Sequence, residues 1–133
     1  MSVAVARERA AKVKAGAHAP VRWHMYSVAL AARLDPKPHK HRACIVVQPT
    51  AFGAAGLRST VVLPLTSKVT AGNAFPLRVR VPAGVCGLPR DRDVLIDQVS
   101  ALDNRSFRHD LGELPDPLRR QIRRALAEFL DVC

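Results

Sequence analysis

The sequence predicts a mostly β protein of the β+α class, a small antiparallel barrel with one C-terminal α-helix. Two observations support this prediction. Five short segments between residues 25 and 103 have the apolar patterns of strands, and connections containing proline or glycine separate them. The clearest helical periodicity is confined to residues 114–133. Because strands and helices bury their apolar faces by packing as layers, a helix that closes a small barrel accounts for both patterns.

The N-terminal segment differs from the rest of the chain. Residues 3–15 can form a helix that Gly16 would end, but they contain alanine rather than large apolar side chains and so bury little area. We therefore expect residues 1–20 to be a flexible or marginally helical extension, and residues 21–133 to be the folded domain. The 133 residues of the chain are enough for one domain with one core.

The first three strand segments are residues 25–30, 43–48 and 60–67. Side chains of the first segment alternate between two faces, and the second begins as an uninterrupted apolar run typical of a buried strand. The third contains Pro64, which has no amide proton to donate and therefore predicts an edge strand or a bulge. Residues 49–59 are predicted to be a glycine-containing connection.

The last two strand segments are residues 75–82 and 94–103. Leucine and valine alternate with arginine along the first of them, which predicts one buried face and one wet face. Residues 85–93 between them predict a turn. The fifth strand is expected to be interrupted near Gln98.

The C-terminal helix begins near Asp116, which can cap it, and Pro117, which suits the first helical position. Its predicted apolar face consists of Leu118, Ile122, Leu126 and Phe129. Its predicted basic surface consists of Arg119, Arg120, Arg123 and Arg124. That surface is either simply solvated or a contact for nucleic acid.

Charge and cysteine content restrict the function classes. The chain has 21 Lys and Arg against 11 Asp and Glu, a net charge of +10. A field of this sign favours RNA, DNA or an acidic protein, although basic proteins without such a partner are common. Cys44, Cys86 and Cys133 form no C-x-x-C pair, so no zinc site is predicted. Their odd number and the lack of a secretory leader predict a cytoplasmic protein. No apolar run is long enough to span a membrane.

Five pieces of the chain, in order, resemble the MazF/PemK/Kid family of toxins: "RWHMYSVAL", "RACIVVQPTAF", "TVVLPLTS", "GLPRDRDVLIDQVSALD" and "LGELPDPLRRQIRRAL". The resemblance covers roughly residues 22–131. Family positions at strand starts and ends are occupied by Arg42, Gln48, Thr66, Ser67, Asp97, Gln98 and Asp103.

The resemblance implies a specific fold and activity. It implies an SH3-like barrel of the PemK/CcdB type that forms a homodimer. It also implies the toxin of a toxin–antitoxin system, an endoribonuclease that cleaves single-stranded RNA, usually mRNA, sequence-selectively and without a metal or other cofactor. In the implied reaction, the 2′-OH attacks the phosphate and leaves a 2′,3′-cyclic phosphate and a 5′-OH. The implied partner is a MazE-like antitoxin with an acidic tail.

Two alternatives act by protein binding rather than by cleavage. One is a degenerate family member that binds its antitoxin and no longer cuts RNA. The other is a CcdB-type toxin directed at gyrase. Toxins of that type depend on an exposed tryptophan near the C-terminus, whereas the only tryptophan here is Trp23.

Arg42 and Thr66 are the first candidate catalytic residues. The planar guanidinium of Arg42 matches phosphate oxygens, and its position before an apolar strand suits an anion-binding group. The alternative is a salt bridge to Asp97 or Asp35. The Thr66 hydroxyl can donate to a phosphate oxygen, although a threonine at a strand end is often a turn former.

His39 and His41 are the second pair of candidate catalytic residues. The loop before Arg42 lacks the glutamate that family members carry, and imidazole titrates near neutrality, so either histidine can transfer the proton. The alternatives are an exposed pair or an adventitious metal site, which the neighbouring lysines disfavour. The candidate RNA-binding residues are Lys37, Lys40, Gln48, Ser67, Lys68, Asp97 and Gln98.

Overall fold

The computed structural model describes residues 19–29 and 41–132. The elements within these ranges, in chain order, are β1 (His24–Ala29), β2 (His41–Val46), α1 (Thr50–Ala54), β3 (Ser59–Thr66), β4 (Arg78–Val81), β5 (Arg92–Leu95), β6 (Ser100–Asp103), β7 (Phe107–Glu113) and α2 (Asp116–Leu130). Short 3-10 turns lie at Val85–Gly87, Ile96–Gln98 and Asn104–Ser106. The predictions for residues 1–18 and for most of the connection 31–42 lie outside the described residues.

The strands form one antiparallel sheet in the order β4-β5-β3-β2-β1-β7, with β6 paired to β3 beside β5. The predicted mostly β, antiparallel fold with a C-terminal helix is confirmed. The path of hydrogen-bonded strands ends at β4 and β7, so the sheet is not closed into a barrel within the described residues. The predicted interruption near Gln98 is also confirmed, because a 3-10 turn separates β5 from β6.

The third strand lies in the middle of the sheet, so of the two predicted alternatives, an edge strand or a bulge, the edge strand was wrong. β2 pairs with β3 on one side, and β6 and β5 pair with it successively on the other. The β6 ladder ends at Val62 and the β5 ladder begins at Leu65. Pro64 therefore lies at the break between two ladders, an irregular position that tolerates a residue without an amide proton.

The main core lies between the sheet and α2. The helix contributes Leu118, Ile122 and Ala125, which pack with sheet residues that include Met25 and Ile45. The predicted apolar face was therefore partly wrong. Leu126 is partly buried and packs against this core, as predicted, whereas Phe129 is 39% exposed and the buried Ala125 was not predicted.

The start of α2 also differs from the prediction. Pro115 is the N-cap residue and no side chain caps the helix, while Pro117 lies in the first turn as predicted. The Asp116 carboxylate instead pairs with Arg119, three residues along the helix. Arg119 also pairs with Glu113, at a distance of 3.0 Å.

Trp23 connects the start of the domain to α2. The residue is 7% exposed, and two guanidinium groups lie over its ring, with Arg22 4.9 Å and Arg123 5.8 Å from the ring centroid. Both distances are within the range of cation–π interactions. The Trp23 backbone has φ of 65°, a left-handed conformation that is unusual for a large side chain. Arg22 fixes this turn by donating from Nε to the Val47 carbonyl oxygen, at 2.9 Å.

A second cluster lies on the opposite face of the sheet and consists of Tyr26, Val28, Cys44, Val46 and Val62. Successive side chains of a strand point to opposite faces, which is why Cys44 and Ile45 belong to different clusters. Cys44 is buried, as a small core residue should be, and burial raises its pKa to about 12. Its sulfur is therefore held as an unreactive thiol.

Two elements were not predicted. Residues 50–54 of the predicted connection form α1, and residues 107–113 form β7, which pairs with β1. In the described part of the chain, no helix has the length and apolar character needed to cross a membrane.

Candidate functional site

A cavity of about 500 Å³ opens where β2 begins and β3 ends. Its described polar lining consists of Ser27, Arg42, Thr66, Ser67, Lys68 and Arg92, and its apolar lining of Ala43 and Leu65. Four of the sequence-predicted site residues, Arg42, Thr66, Ser67 and Lys68, therefore lie together.

Strand register explains why these residues meet. Cys44 of β2 pairs with Pro64 of β3, so two residues further along the antiparallel pair Arg42 comes opposite Thr66. On the other side of β2, Ser27 of β1 pairs with Ala43. Thr66 also pairs with Asp93 of β5, which places the preceding residue, Arg92, at the same end of the sheet.

The cavity attracts anions. Arg42, Lys68 and Arg92 are cationic, and none of its described lining residues is acidic. Arg42 and Lys68 are exposed, whereas Arg92 is half-buried. A concave surface lined by charges of one sign concentrates ligands of the other sign.

Thr66 has the turn-forming role, and donation to a phosphate oxygen stays a prediction. Its Oγ1 accepts a hydrogen bond from the Lys68 amide at 3.1 Å, which is the turn-forming role. A hydroxyl has one donor and two acceptor positions, so the Thr66 proton is still available for a ligand in the cavity. Ser67 is exposed beside it.

The loop that carries Ser67 and Lys68 is fixed by a buried carboxylate. Asp93 is 1% exposed, and it accepts from the Thr70 amide at 2.7 Å and from Arg80 Nε at 2.6 Å. Burial alone would raise the pKa of Asp93, but hydrogen bonds from Arg80 and from the Thr70 amide outweigh it, so the pKa is lowered. Asp93 is therefore ionised and holds one wall of the cavity in place.

Three predicted RNA-binding residues lie away from the cavity lining. Gln48 follows the opposite end of β2, where its amide accepts from Val61 N at 3.2 Å and donates to Ser59 O at 3.3 Å. Asp97 forms an ion pair with Arg78 at 2.8 Å. Gln98 is exposed at the end of a 3-10 turn. The geometry gives Gln48 and Asp97 structural roles, and RNA contact by these three residues stays a prediction.

The described side chains do not test the predicted catalytic roles of His39 and His41. The backbone of His41 pairs with Ala29 at the end of the β1–β2 ladder. Lys37, His39 and Lys40 lie outside the described residues. Among the residues described, no group of three or more His, Cys, Asp or Glu side chains is placed to hold a metal ion.

Ser27 and Arg92 were missed by sequence reasoning. Arg92 lies in a segment predicted to be a turn, yet it precedes the apolar Val94 of β5 much as Arg42 precedes the apolar part of β2. That shared pattern was the available signal. Ser27 gave none, because small polar residues are common in alternating strands.

Fold and site together define a small antiparallel β protein with a helix on one face and an anion-attracting cavity at one end of its sheet. Residues 21–130 match the family described as "PemK-like, MazF-like toxin of type II toxin-antitoxin system". The chain belongs to this family.

Individual relatives agree. The protein named Endoribonuclease MazF2 from Mycobacterium bovis is 30% identical over 111 residues, which are 84% of this chain and 96% of the relative. A chain of the MazE-MazF crystal structure (Form-II) from Deinococcus radiodurans superposes with a TM-score of 0.67 at 23% identity, covering 86% of this chain and 98% of that chain. An endoribonuclease in complex with its cognate antitoxin from Mycobacterial species gives 0.66 at 21% identity, with the same coverage of both chains.

Proposed function

We propose that this protein is the toxin of a type II toxin–antitoxin pair and acts as an endoribonuclease on single-stranded RNA, with mRNA as its substrate. The observation that carries the proposal is the cationic cavity, which brings Arg42 and Thr66 together. Membership of the toxin family and the name of the 30% identical relative support the same activity.

The proposed reaction uses the ribose 2′-OH and needs no metal. The 2′ oxygen forms a bond to the neighbouring phosphorus while the bond from phosphorus to the 5′ oxygen breaks. A base takes the 2′-OH proton, and an acid gives a proton to the leaving 5′ oxygen. The products are a 2′,3′-cyclic phosphate and a 5′-OH.

The described residues supply the electrostatic part of this reaction. Arg42 holds the scissile phosphate with two parallel hydrogen bonds and stabilises the charge that develops on its oxygens. The Thr66 hydroxyl donates to one of the same oxygens. Lys68 attracts the RNA backbone. His39 or His41 transfers the proton, since imidazole serves as acid or base near neutrality.

The proposed partners follow from the same site. An antitoxin with an acidic tail would neutralise the cavity by occupying it. The Mycobacterial endoribonuclease is described in complex with its cognate antitoxin, and the Deinococcus structure as a MazE-MazF structure, which supports an antitoxin partner. We also propose that the protein is a homodimer and works in the cytoplasm. Its sequence selectivity would be set by the protein surface around the cavity.

The test is incubation of the purified protein with a mixed RNA sample in EDTA, followed by mapping of the cut ends. We expect cleavage at a restricted set of sequences, with 2′,3′-cyclic phosphate and 5′-OH ends. The Arg42→Ala variant, prepared in parallel, controls for contaminating nucleases. Intact RNA at high protein concentration would refute the proposal and favour a toxin-fold protein that acts only by binding other proteins.

A further inference from the structure

We propose that Arg92 is a phosphate-binding residue of the cavity, whose guanidinium donates to the backbone of the bound RNA. The identity of the ligand rests on the proposed function. The chemistry of the site does not, because it follows from how Arg92 is held.

The Nε of Arg92 is buried and has no hydrogen-bond partner in the described part of the molecule. A guanidinium has five N–H donors and always carries its charge. A buried donor without a partner is costly, so such groups in folded proteins usually have a ligand or a functional reason. The fold therefore does not satisfy this guanidinium, and because Arg92 lines the cavity, the guanidinium nitrogens that reach it can donate to a ligand there.

The unpaired state of Arg92 is not due to a shortage of carboxylates. Asp91 and Asp93 flank it in sequence, but Asp91 accepts from the Ala83 amide at 2.8 Å and Asp93 from Arg80 and Thr70. Neighbouring side chains of a strand point to opposite faces, so both acids face away from Arg92. The strand thus separates the cation from the two acids that would neutralise it.

Arg119 provides a useful contrast. Its Nε is the other buried side-chain nitrogen without a partner in the described residues. Its terminal nitrogens, however, pair with Glu113 and Asp116, so its charge is satisfied within the fold. The described residues form no ion pair with Arg92 and give its side chain no hydrogen bond. Arg92 is therefore placed to bind an anion from outside the protein, whereas Arg119 has a structural role.

The cavity is built for an anion with several acceptor oxygens. Its polar lining consists of three cations and three hydroxyls, all able to donate. Arg42 reaches it from β2 and Arg92 from β5, so a phosphate between them would be held from two strands. An arginine fork suits phosphate because it offers parallel donors in a fixed plane. RNA presents such a group at every nucleotide, which favours its backbone over a single free ion.

The experiment compares Arg92→Ala and Arg92→Lys with the matched control Arg90→Ala. Arg90 is exposed, carries the same charge two residues away and is not among the lining residues. The probe is an RNA oligonucleotide that contains the mapped cleavage site and a 2′-deoxy sugar there, so that it binds without being cut. Its dissociation constant is measured between about 50 and 200 mM salt.

We expect Arg92→Ala to weaken binding roughly 10- to 100-fold, the loss typical of a hydrogen bond to a charged group. The slope of log affinity against log salt should become shallower by about 0.7, the value for one phosphate contact on a single strand. Arg92→Lys should keep the slope but bind several-fold more weakly than the parent, because it keeps the charge and loses the planar pair of donors. Arg90→Ala should change affinity less than about twofold.

Parental affinity and slope in Arg92→Ala, or equal losses in Arg90→Ala, would overturn the proposal. Parental RNA affinity combined with weaker binding of an acidic peptide would also overturn it, by assigning Arg92 to a protein partner. Thermal melting of each variant checks folding. If Arg92→Ala does not fold, Arg92→Lys alone decides, because parental affinity in it contradicts phosphate binding by the guanidinium.

Failure of the proposed function would look different, since the wild-type protein would then leave RNA intact. In that case the wild-type protein is titrated with pyrophosphate while the Nε–H signal of Arg92 is followed by NMR and assigned by its absence in Arg92→Lys. Movement of that signal supports phosphate binding by Arg92. An unmoved signal overturns the inference independently of any cleavage.

Discussion

Replacing Asp93 with asparagine tests whether a buried carboxylate holds the cavity wall. The asparagine side chain would keep the size of the aspartate and lose its charge. The change affects two short hydrogen bonds, from Arg80 Nε at 2.6 Å and from the Thr70 amide at 2.7 Å. Thr70 lies at the end of the loop that carries Ser67 and Lys68 into the cavity. Both stability and substrate binding should therefore respond.

The magnitude follows from the two bonds. Asparagine has one acceptor oxygen, so it can keep only one of the two bonds, as a neutral bond about 1 kcal/mol weaker, and the other donor loses its acceptor at a further cost of about 1 kcal/mol or more. The predicted loss in the free energy of unfolding is therefore at least about 2 kcal/mol. Breaking a fully buried ion pair costs about 3–5 kcal/mol, but Arg80 is 39% exposed and can be hydrated, so the smaller figure applies. Urea unfolding followed by far-UV circular dichroism measures it. The control is Asp91→Asn, because Asp91 is 49% exposed, lies at a long 3.9 Å from Arg80, and accepts one hydrogen bond, from the Ala83 amide, which the asparagine oxygen can keep. The loss there should be about 0.5 kcal/mol.

The effect should depend on pH. The pKa of Asp93 is lowered in the folded protein, so its stabilising contribution is full above the unfolded pKa of about 3.9 and is lost as the pH falls through the lower folded value. The difference between parent and Asp93→Asn should therefore shrink in acid. Burial alone would raise the pKa of Asp110, but hydrogen bonds from His24 and the Gly112 amide outweigh it and lower that pKa, so the parent loses stability in acid for that reason too. An Asp93→Asn difference that is unchanged in acid, or below about 0.5 kcal/mol near neutrality, would refute this account.

Three further predictions concern activity and assembly. Arg42→Ala should abolish RNA cleavage and leave the melting temperature unchanged, because its side chain is exposed and lines the cavity. Arg42→Lys should rescue poorly, and equal losses of stability and activity would show a structural role. The double change His39→Ala with His41→Ala should slow cleavage at least about 100-fold and remove the part of the rate–pH profile that changes at roughly pH 6–7. A parental rate and profile would show that neither histidine transfers the proton. Sedimentation at micromolar concentration should give about twice the 14.5 kDa monomer mass, and a monomer at every concentration would contradict the homodimer.

The sequence was sufficient to predict those elements whose apolar side-chain pattern matches their burial in the structure. The strand 43–48 and the helix after Pro117 have strong apolar patterns, and both elements are present with shifts of at most two or three residues. β7 was missed because most of its residues are exposed, so backbone pairing with β1 holds it and its side chains carry no amphipathic signal. α1 was missed because it is one short turn that contains Gly53.

The site was predictable only where a residue follows from strand order. Arg42 and Thr66 lie at the ends of adjacent strands, and antiparallel pairing brings such ends together. Which arginine a carboxylate pairs with does not follow from strand order. Asp97 pairs with Arg78 because the ladder of β4 and β5 brings Arg78 opposite Leu95, close to the turn that carries Asp97. Placing Arg92 at the cavity requires the register of β5. The charged neighbours of Arg92 made this segment resemble a turn rather than a strand.

The position of Trp23 gives this protein an optical reporter of its own. It is the only tryptophan of the chain, and its fluorescence therefore comes from a single place. That place is the contact between the first turn of the domain and Arg123 of α2, where the indole is buried beneath guanidinium groups. Detachment of α2 would expose the indole to water and shift its emission to longer wavelength. Loosening of the helix can thus be distinguished from rearrangement of the distant loops without attaching a dye.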